Sequence, residues 1–323
     1  MSITNVVQAI RGNKRFLIAG HINPEADAVG SQLALASLLK RLGKGVLIVN
    51  EDPPPESCKF LPNIKSIKLF KDVKESYFKR PDCAIIVDCP VLDRIGKVKE
   101  LITDGVILVG IDHHISNERY GDINWIDLKS SAVGEMVFEI FKRFKLKLNK
   151  EEATQLYTAI LIDTGSFRYS NTTERTHRIA AELIKYGLDT DSIYKQLYEL
   201  KAFPATQLLG LSLSTIKKSR DGKVVWFWLT RQMLKQAGAR FDDAENFINY
   251  ARAVKGVKVA IFLKETDKKG KVQISLRGRK GCDVNKIASR FGGGGHARAA
   301  GCTITGIPKE AERKILRAVF KVV

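Results

Sequence analysis

The sequence predicts an α/β protein. An N-terminal domain on a parallel sheet with helices on both faces is joined by helices to a smaller α/β domain. Three observations carry that expectation. Short, almost wholly apolar runs alternate with amphipathic ones through the first half. Helical patterning then fills 151–218. After a turn signal at 220–223 (RDGK), strand-like segments return and the chain closes on a helix.

In chain order, 15–20 (RFLIAG) reads as a buried strand. Residues 27–44 read as a helix with Leu33, Leu35, Leu38, Leu39 and Leu42 as apolar positions. Strands are expected at 45–50 (GVLIVN), 83–88 (CAIIVD) and 106–112 (VILVGID), and a helix at 130–145. Strands buried on both faces show continuous apolar character, which predicts parallel neighbours. Four helical patterns follow, and then strands at 224–230, 257–266 and 271–278, the last two joined by a turn at 267–270. A short helix at 283–291, the run GGGGH, a strand at 299–306 and a helix at 308–323 complete the chain. The expected division is a domain at 1–185, a helical linker at 186–218 and a second domain at 219–323.

The 323 residues hold 54 Lys and Arg against 35 Asp and Glu, a net charge of +19. Such a surplus attracts polyanions, although lysines spread along the chain also serve a solvated surface. The five cysteines (58, 83, 89, 282 and 302) show no CxxC spacing, which argues against a disulfide framework and for a reducing cytoplasm. No apolar run approaches the roughly 18 residues of a membrane span, and the N-terminal MSITNVVQAIRGNK has no long apolar core. The expectation is a cytoplasmic protein.

In open parallel sheets, ligands bind beyond the carboxyl ends of the strands. The residues that follow these strands are metal-competent. His21, Glu25 and Asp27 follow the first, Asp88 ends another, and Asp112, His113 and His114 end a third. A further apolar run stops abruptly at Asp163 in AILIDTG. Singly, each residue has a plainer role. Asp27 can cap the helix it opens, Asp163 can cap or turn, and one of the paired histidines can be satisfied by a carbonyl. Jointly they do not read that way, because three of the five histidines fall among these few positions. Carboxylates mixed with imidazoles and no thiolate suit Mn²⁺ or Mg²⁺ better than a structural zinc. This many carboxylates can neutralise two divalent ions, and a water between two such ions becomes a nucleophile near neutral pH.

In the second domain, four consecutive glycines, Gly292, Gly293, Gly294 and Gly295, favour neither helix nor strand. A glycine-rich turn lets backbone amides converge on an anion or a base approach closely. Arg277 and Arg298 are candidate phosphate clamps, with Ser275 and His296 beside them. Trp226 and Trp228 in WFW share one strand face, which fits core packing better than a base-stacking platform.

These motifs occur in a recognisable order: HxxPxxDAxGS at 21–31, VD at 87–88, DHH at 112–114, DTG at 163–165 and GGGGHARAAG at 292–301. The set resembles the DHH phosphoesterase superfamily with its DHHA1 domain, and most closely the stand-alone oligoribonuclease and pAp-phosphatase branch. The resemblance implies two Mn²⁺ ions at the sheet edge. His21, Glu25 and Asp88 would hold the first. Asp27, Asp88, His113 and Asp163 would hold the second, with Asp88 as the bridge. It also implies that His114 lies beside the scissile phosphate and that Asp112 orients a histidine. Ser275, Arg277, the four glycines, His296 and Arg298 would grip substrate.

The implied activity is release of 5′-mononucleotides from RNA fragments a few nucleotides long and removal of the 3′-phosphate of pAp. Linear pApA and cyclic c-di-AMP are close alternatives. The glycine-rich signature argues against a family II inorganic pyrophosphatase. The family forms homodimers often enough to make one expected here. Glu25 departs from the aspartate usual in the family, and this raises a different class of function, a nucleotide- or RNA-binding module with an impaired metal site.

Overall fold

The computed structural model describes residues 2–73, 80–200, 202–244, 246–266, 268 and 270–323. The turn expected at 267–270 lies partly outside them. The chain divides into two compact units, Met1–Leu200 and Lys201–Val323. The division falls inside the stretch expected as a linker.

In the first unit, helix α1 (Ile3–Gly12) precedes strand β1 (Arg15–Ala19), α2 (Ala26–Arg41) and β2 (Gly45–Asn50). Strands β3 (Ile67–Leu69), β4 (Cys83–Val87), β5 (Ile107–Asp112) and β6 (Ile123–Ile126) follow. Helices α3 (Val133–Arg143), α4 (Lys150–Asp163), α5 (Glu174–Ile184) and α6 (Thr190–Tyr194) complete it. All strand pairs are parallel, in the order β3-β2-β1-β4-β5-β6. Sequence patterning found the four longer strands. It missed β3 and β6, which are edge strands too short to show a period.

Strand alternation splits the apolar runs between two cores. Phe16, Ile18, Ile85 and Val87 pack with α1 to α4 around Phe138 and Phe141. Leu17, Ala19, Ala84 and Ile86 face the other way, onto Ile95 and Val98 of a 3₁₀ run, Leu92–Leu101. Helices therefore cover both faces, but one cover is 3₁₀. The direction of strand addition reverses between β1 and β4, so their carboxyl ends border the crevice where such sheets take ligands.

The second unit begins with α7 (Phe203–Leu213), β7 (Lys217–Lys218), β8 (Val224–Leu229), α8 (Arg231–Ala237) and α9 (Ile248–Arg252). Next come β9 (Val259–Glu265), β10 (Lys271–Gly278), α10 (Val284–Ser289), β11 (Gly294–His296), β12 (Ala299–Thr305) and α11 (Pro308–Val319). The sheet order is β11-β12-β10-β9-β8-β7, with β8 and β9 parallel and the other pairs among the described residues antiparallel. Helices α7 to α9 pack on one face around Phe227, Phe247 and Phe262, and α10 and α11 on the other around Ile261, Ile274 and Ile315. Strand β10 alternates, burying Val272, Ile274 and Leu276 and turning Gln273, Ser275 and Arg277 outward.

The tryptophans pack as structural groups. Both indole nitrogens donate to one carboxylate, Trp226 to Glu312 Oε1 at 2.8 Å and Trp228 to Oε2 at 2.6 Å.

Candidate functional site

Residues from β1, α2, β4, β5 and α4 meet at the carboxyl edge of the first sheet. His21, Asp27, Asp88 and Asp112 are buried there, where charged groups persist only when paired. Asp27 sits in the first turn of α2 and accepts from Ser31 Oγ at 3.1 Å. It also accepts the amides of Val133 at 2.7 Å and Gly134 at 2.9 Å, the first two residues of α3. The cap position of α3 is Ala132, which offers no acceptor, so Asp27 satisfies amides that would otherwise be orphaned. The aspartate that could have capped its own helix thus caps a neighbour. Burial, reinforced by the charge of Asp88, pushes its carboxyl up to about 7.

Asp88 directly follows β4 with a left-handed φ of 54°, a conformation that costs a non-glycine residue energy and concentrates at functional positions. Its Oδ2 lies 3.7 Å from His21 Nε2, while its Oδ1 lies 3.6 Å from both His113 Nε2 and His114 Nδ1. Burial pushes the Asp88 carboxyl up, but the three imidazoles outweigh it and hold the group below its ordinary range. Burial likewise pulls all three histidines down, and their carboxylate neighbours raise them overall.

The two paired histidines are held differently. His114 Nδ1 meets Asp112 Oδ1 at 2.6 Å, and Asp112 Oδ2 accepts from Asn117 Nδ2 at 2.7 Å. Asp112 Oδ1 also accepts the amides of His113 and His114. Asp112 therefore orients the His114 ring and fixes the turn that presents both. His113 Nδ1 instead faces the carbonyl of Ser130 at 3.2 Å. Its Nε2 lies 3.4 Å from Asp163 Oδ2.

Asp163 is the last residue of α4, at the helix end whose dipole disfavours negative charge. Burial first, then the charges of Asp27, Asp88 and Glu25, drives its carboxyl well up, against the opposing pull of His113. Among the described residues, two groups of ligand atoms gather within 4.8 Å: Asp88, Asp112, His113 and His114, and Asp27, His113 and Asp163. Two donors on one cation at bond lengths near 2.1 Å lie about 3–3.6 Å apart. The separations of 3.4–3.7 Å across Asp88, His113, Asp163 and His21 are long for hydrogen bonds and close to that range. The donor set and its spacing fit a divalent cation.

Glu25 behaves differently. It occupies the cap position of α2 without a side-chain capping bond and is exposed; like the buried His21, it lies outside both groups. His21 Nδ1 is 2.7 Å from the Ile22 carbonyl, with Arg94 NH2 at 3.4 Å. Sequence reasoning gave no signal for Arg94, Asn117 or Ser130, which meet the site only through the fold.

In the second unit, β10, β12 and β11 are successive strands at one side of the sheet. A cavity of about 340 Å³ there is lined by Ser275, Gly292, Gly293, Phe291, Gln273 and Thr303, among others. Arg277 lies two residues along β10 on the same face, in register with Ala299 and, beyond it, His296. Arg298 is exposed in the short β11–β12 connection, and its carbonyl accepts the Gly278 amide at 2.9 Å.

The glycine run, expected as a turn, is in part a strand, because Gly294–His296 form β11. Backbone demands account for three of the four. Gly292 has φ +70°, Gly295 has φ +141°, and a Cβ on Gly293 would stand 2.1 Å from the Gly301 carbonyl oxygen. Gly294 has room, with its nearest neighbour at 3.9 Å. A larger cavity, about 510 Å³, lined by Arg231, Leu234, Arg240 and Phe241, contains none of the predicted residues.

Residues 15–160 match the DHH family, N-terminal domain, and residues 221–323 match the DHHA1 domain. The bifunctional oligoribonuclease and PAP phosphatase NrnA of Thermus thermophilus is 33% identical over 318 residues, 98% of this chain and 92% of that protein. The protein of the same name from Bacillus subtilis is 29% identical, covering 93% of each. Among solved structures, an exopolyphosphatase-related protein from Bacteroides fragilis superposes with a TM-score of 0.93 at 28% identity, over 99% of this chain and 95% of that one.

Proposed function

The chain belongs to the DHH family and carries the DHHA1 domain, and from that membership we propose a metal-dependent phosphoesterase. It hydrolyses very short oligoribonucleotides, including pApA, to 5′-mononucleotides and removes the 3′-phosphate of pAp. The observation that carries the reading is Asp88, whose two oxygens face separate imidazoles, His21 on one side and His113 with His114 on the other. That disposition suits a bridging carboxylate. His21, Glu25 and Asp88 would hold one divalent cation, and Asp27, Asp88, His113 and Asp163 a second, Mn²⁺ fitting the mixed oxygen and imidazole donors. When bound, the pair supplies an acidified water and neutralises phosphate charge.

The chain's own residues do the rest. Asp27 holds the N-terminus of α3 and orients its carboxylate through two amides. Asp112 takes Nδ1 of His114, so Nε2 is the nitrogen assigned to the scissile phosphate, where it stabilises charge or protonates the leaving oxygen. Ser275, Arg277 and the glycine hairpin bind the nucleotide, Arg277 as a two-pronged phosphate donor. A cytoplasmic homodimer belongs to the same reading. Among the described residues no helix is long and apolar enough to cross a membrane.

A Mn²⁺-dependent time course on pAp, pApA and a five-nucleotide RNA tests the function. Turnover of pAp and the dinucleotide is expected, and failure on both with metal bound overturns the reading. The exposed position of Glu25 favours a weakened first ion. Glu25→Asp should then raise Mn²⁺ occupancy toward two per chain, as counted by elemental analysis.

A further inference from the structure

The segment between β6 and α3 carries two carbonyls that matter to the metal centre. Ser130 O faces His113 Nδ1 at 3.2 Å. Ser131 O accepts Asn171 Nδ2 at 3.1 Å, and the same amide donates to the Asp163 carbonyl at 3.0 Å. One short loop thus bears on both His113 and the helix end that presents Asp163. A His113 Nδ1–H given to a carbonyl leaves Nε2, which faces Asp88 and Asp163, as the ligand nitrogen.

The loop is gripped at both ends through one guanidinium. Arg175, in the first turn of α5, donates from NH1 to Asp127 Oδ2 at 3.0 Å. Asp127 in turn accepts Ser130 Oγ at 2.8 Å and the Lys129 amide at 3.1 Å. Arg175 Nε lies 3.8 Å from Glu135 Oε2, and Glu135 Oε1 accepts Ser131 Oγ. Glu135 is fully buried and Oε2 has no hydrogen bond, so Arg175 is what offsets its charge. Residues 127, 130 and 131 are therefore fastened to a group whose carboxylate partners, Asp127, Glu135 and Glu139, are not among the proposed metal ligands.

We propose that Arg175 is a positioning residue for the metal centre, acting through the 127–131 loop to set the His113 ring and the α4 terminus. The inference rests on the proposed function, and its test separates the two. Calorimetric Mn²⁺ titration of the full chain reads the centre without turnover. Partners of metal-ligating histidines typically govern affinity by about 10–100-fold. Arg175→Met should weaken Mn²⁺ binding within that range and lower kcat, with KM for pAp changed less than about twofold.

Arg175→Lys should rescue only partly, since one ammonium cannot span both carboxylates. Arg175→Met leaves Glu135 buried and unpaired and can unfold the unit. Asp127→Asn is therefore the companion variant, because it cuts the same link at a partly exposed position. It should weaken Mn²⁺ binding about 3- to 10-fold. A folded Asp127→Asn protein with unchanged Mn²⁺ affinity and only a lower Tm overturns the inference. Unaltered protein that binds Mn²⁺ but leaves pAp intact overturns the proposed function instead.

Discussion

Residues 1–200 hold 28 Lys and Arg against 26 Asp and Glu, whereas residues 201–323 hold 26 against 9. Almost the whole positive surplus belongs to the second unit. The first unit is close to neutral, and its distinctive charges are buried: Asp27, Asp88 and Asp112 converge with three histidines at one sheet edge. The second unit displays charge on its surface and keeps a small polar face on β10 and β12. Buried carboxylates in a low-dielectric site bind a cation and shape chemistry, and salt screens them little. Exposed lysines and arginines draw in a polyanion and are screened readily. One net charge for the whole chain conceals this contrast.

Four substitutions would break or sharpen that contrast, in order of expected effect. Asp88→Asn removes the carboxylate shared by His21 and His113. It should lower kcat on pAp about 1,000-fold with loss of bound Mn²⁺, followed by phosphate release and elemental analysis. Arg277→Ala should act on the other quantity. It should raise KM about 10- to 100-fold with a much smaller change in kcat. In unaltered protein, the affinity for a five-nucleotide RNA should fall with salt at roughly 0.7 log units per log unit for each phosphate engaged.

Glu312→Gln takes the charged acceptor from Trp226 and Trp228. It should cost about 1–3 kcal/mol in the second unit alone, seen as an earlier tryptophan fluorescence transition in urea. Its metal affinity should not change, and a joint loss of both would show that the units are not independent.

The smallest effect belongs to Asp82, which accepts the amides of Lys14 and Arg15 and pairs with the Arg15 guanidinium. The Arg15 hydrogen bond holds its carboxyl below the usual range. A depressed folded-state value means that the pair's contribution is full above the ordinary carboxylate range and is lost as pH falls through that lower value. Asp82→Asn should therefore cost under about 1 kcal/mol at pH 7. The mutant and parent curves should converge toward acid in urea melts between about pH 5 and 2.

Much of the site was legible because its residues sit in short, ordered motifs at strand ends. The apolar runs at 15–20, 83–88 and 106–112 marked the strands, and polarity immediately after them marked the edge. Asn171 and Arg175 gave no such sign. They lie in a polar helix start, NTTERT, whose residue types fit any capped helix, and they reach the site across the fold. Arg175 is 48 positions from Asp127, and Asn171 is 40 from Ser131. The glycine run was visible but misread in part. Its backbone angles depend on how closely β12 passes, which glycine, lacking a side chain, does not record.

The sequence by itself determined the α/β class, the two-part organisation and the chemical character of the metal-competent set. These follow from apolar periodicity and residue type, which are local properties. Only the tertiary structure decided the roles. Strand order put the reversal between β1 and β4, and so brought His21 to within 3.7 Å of Asp88. Packing gave Asp27 to the amides of α3, 106 and 107 positions away, and left Glu25 in solvent. Hydrogen bonds and carboxylate pairs act over a few ångströms in space, and separation along the chain does not tell which groups will come that close.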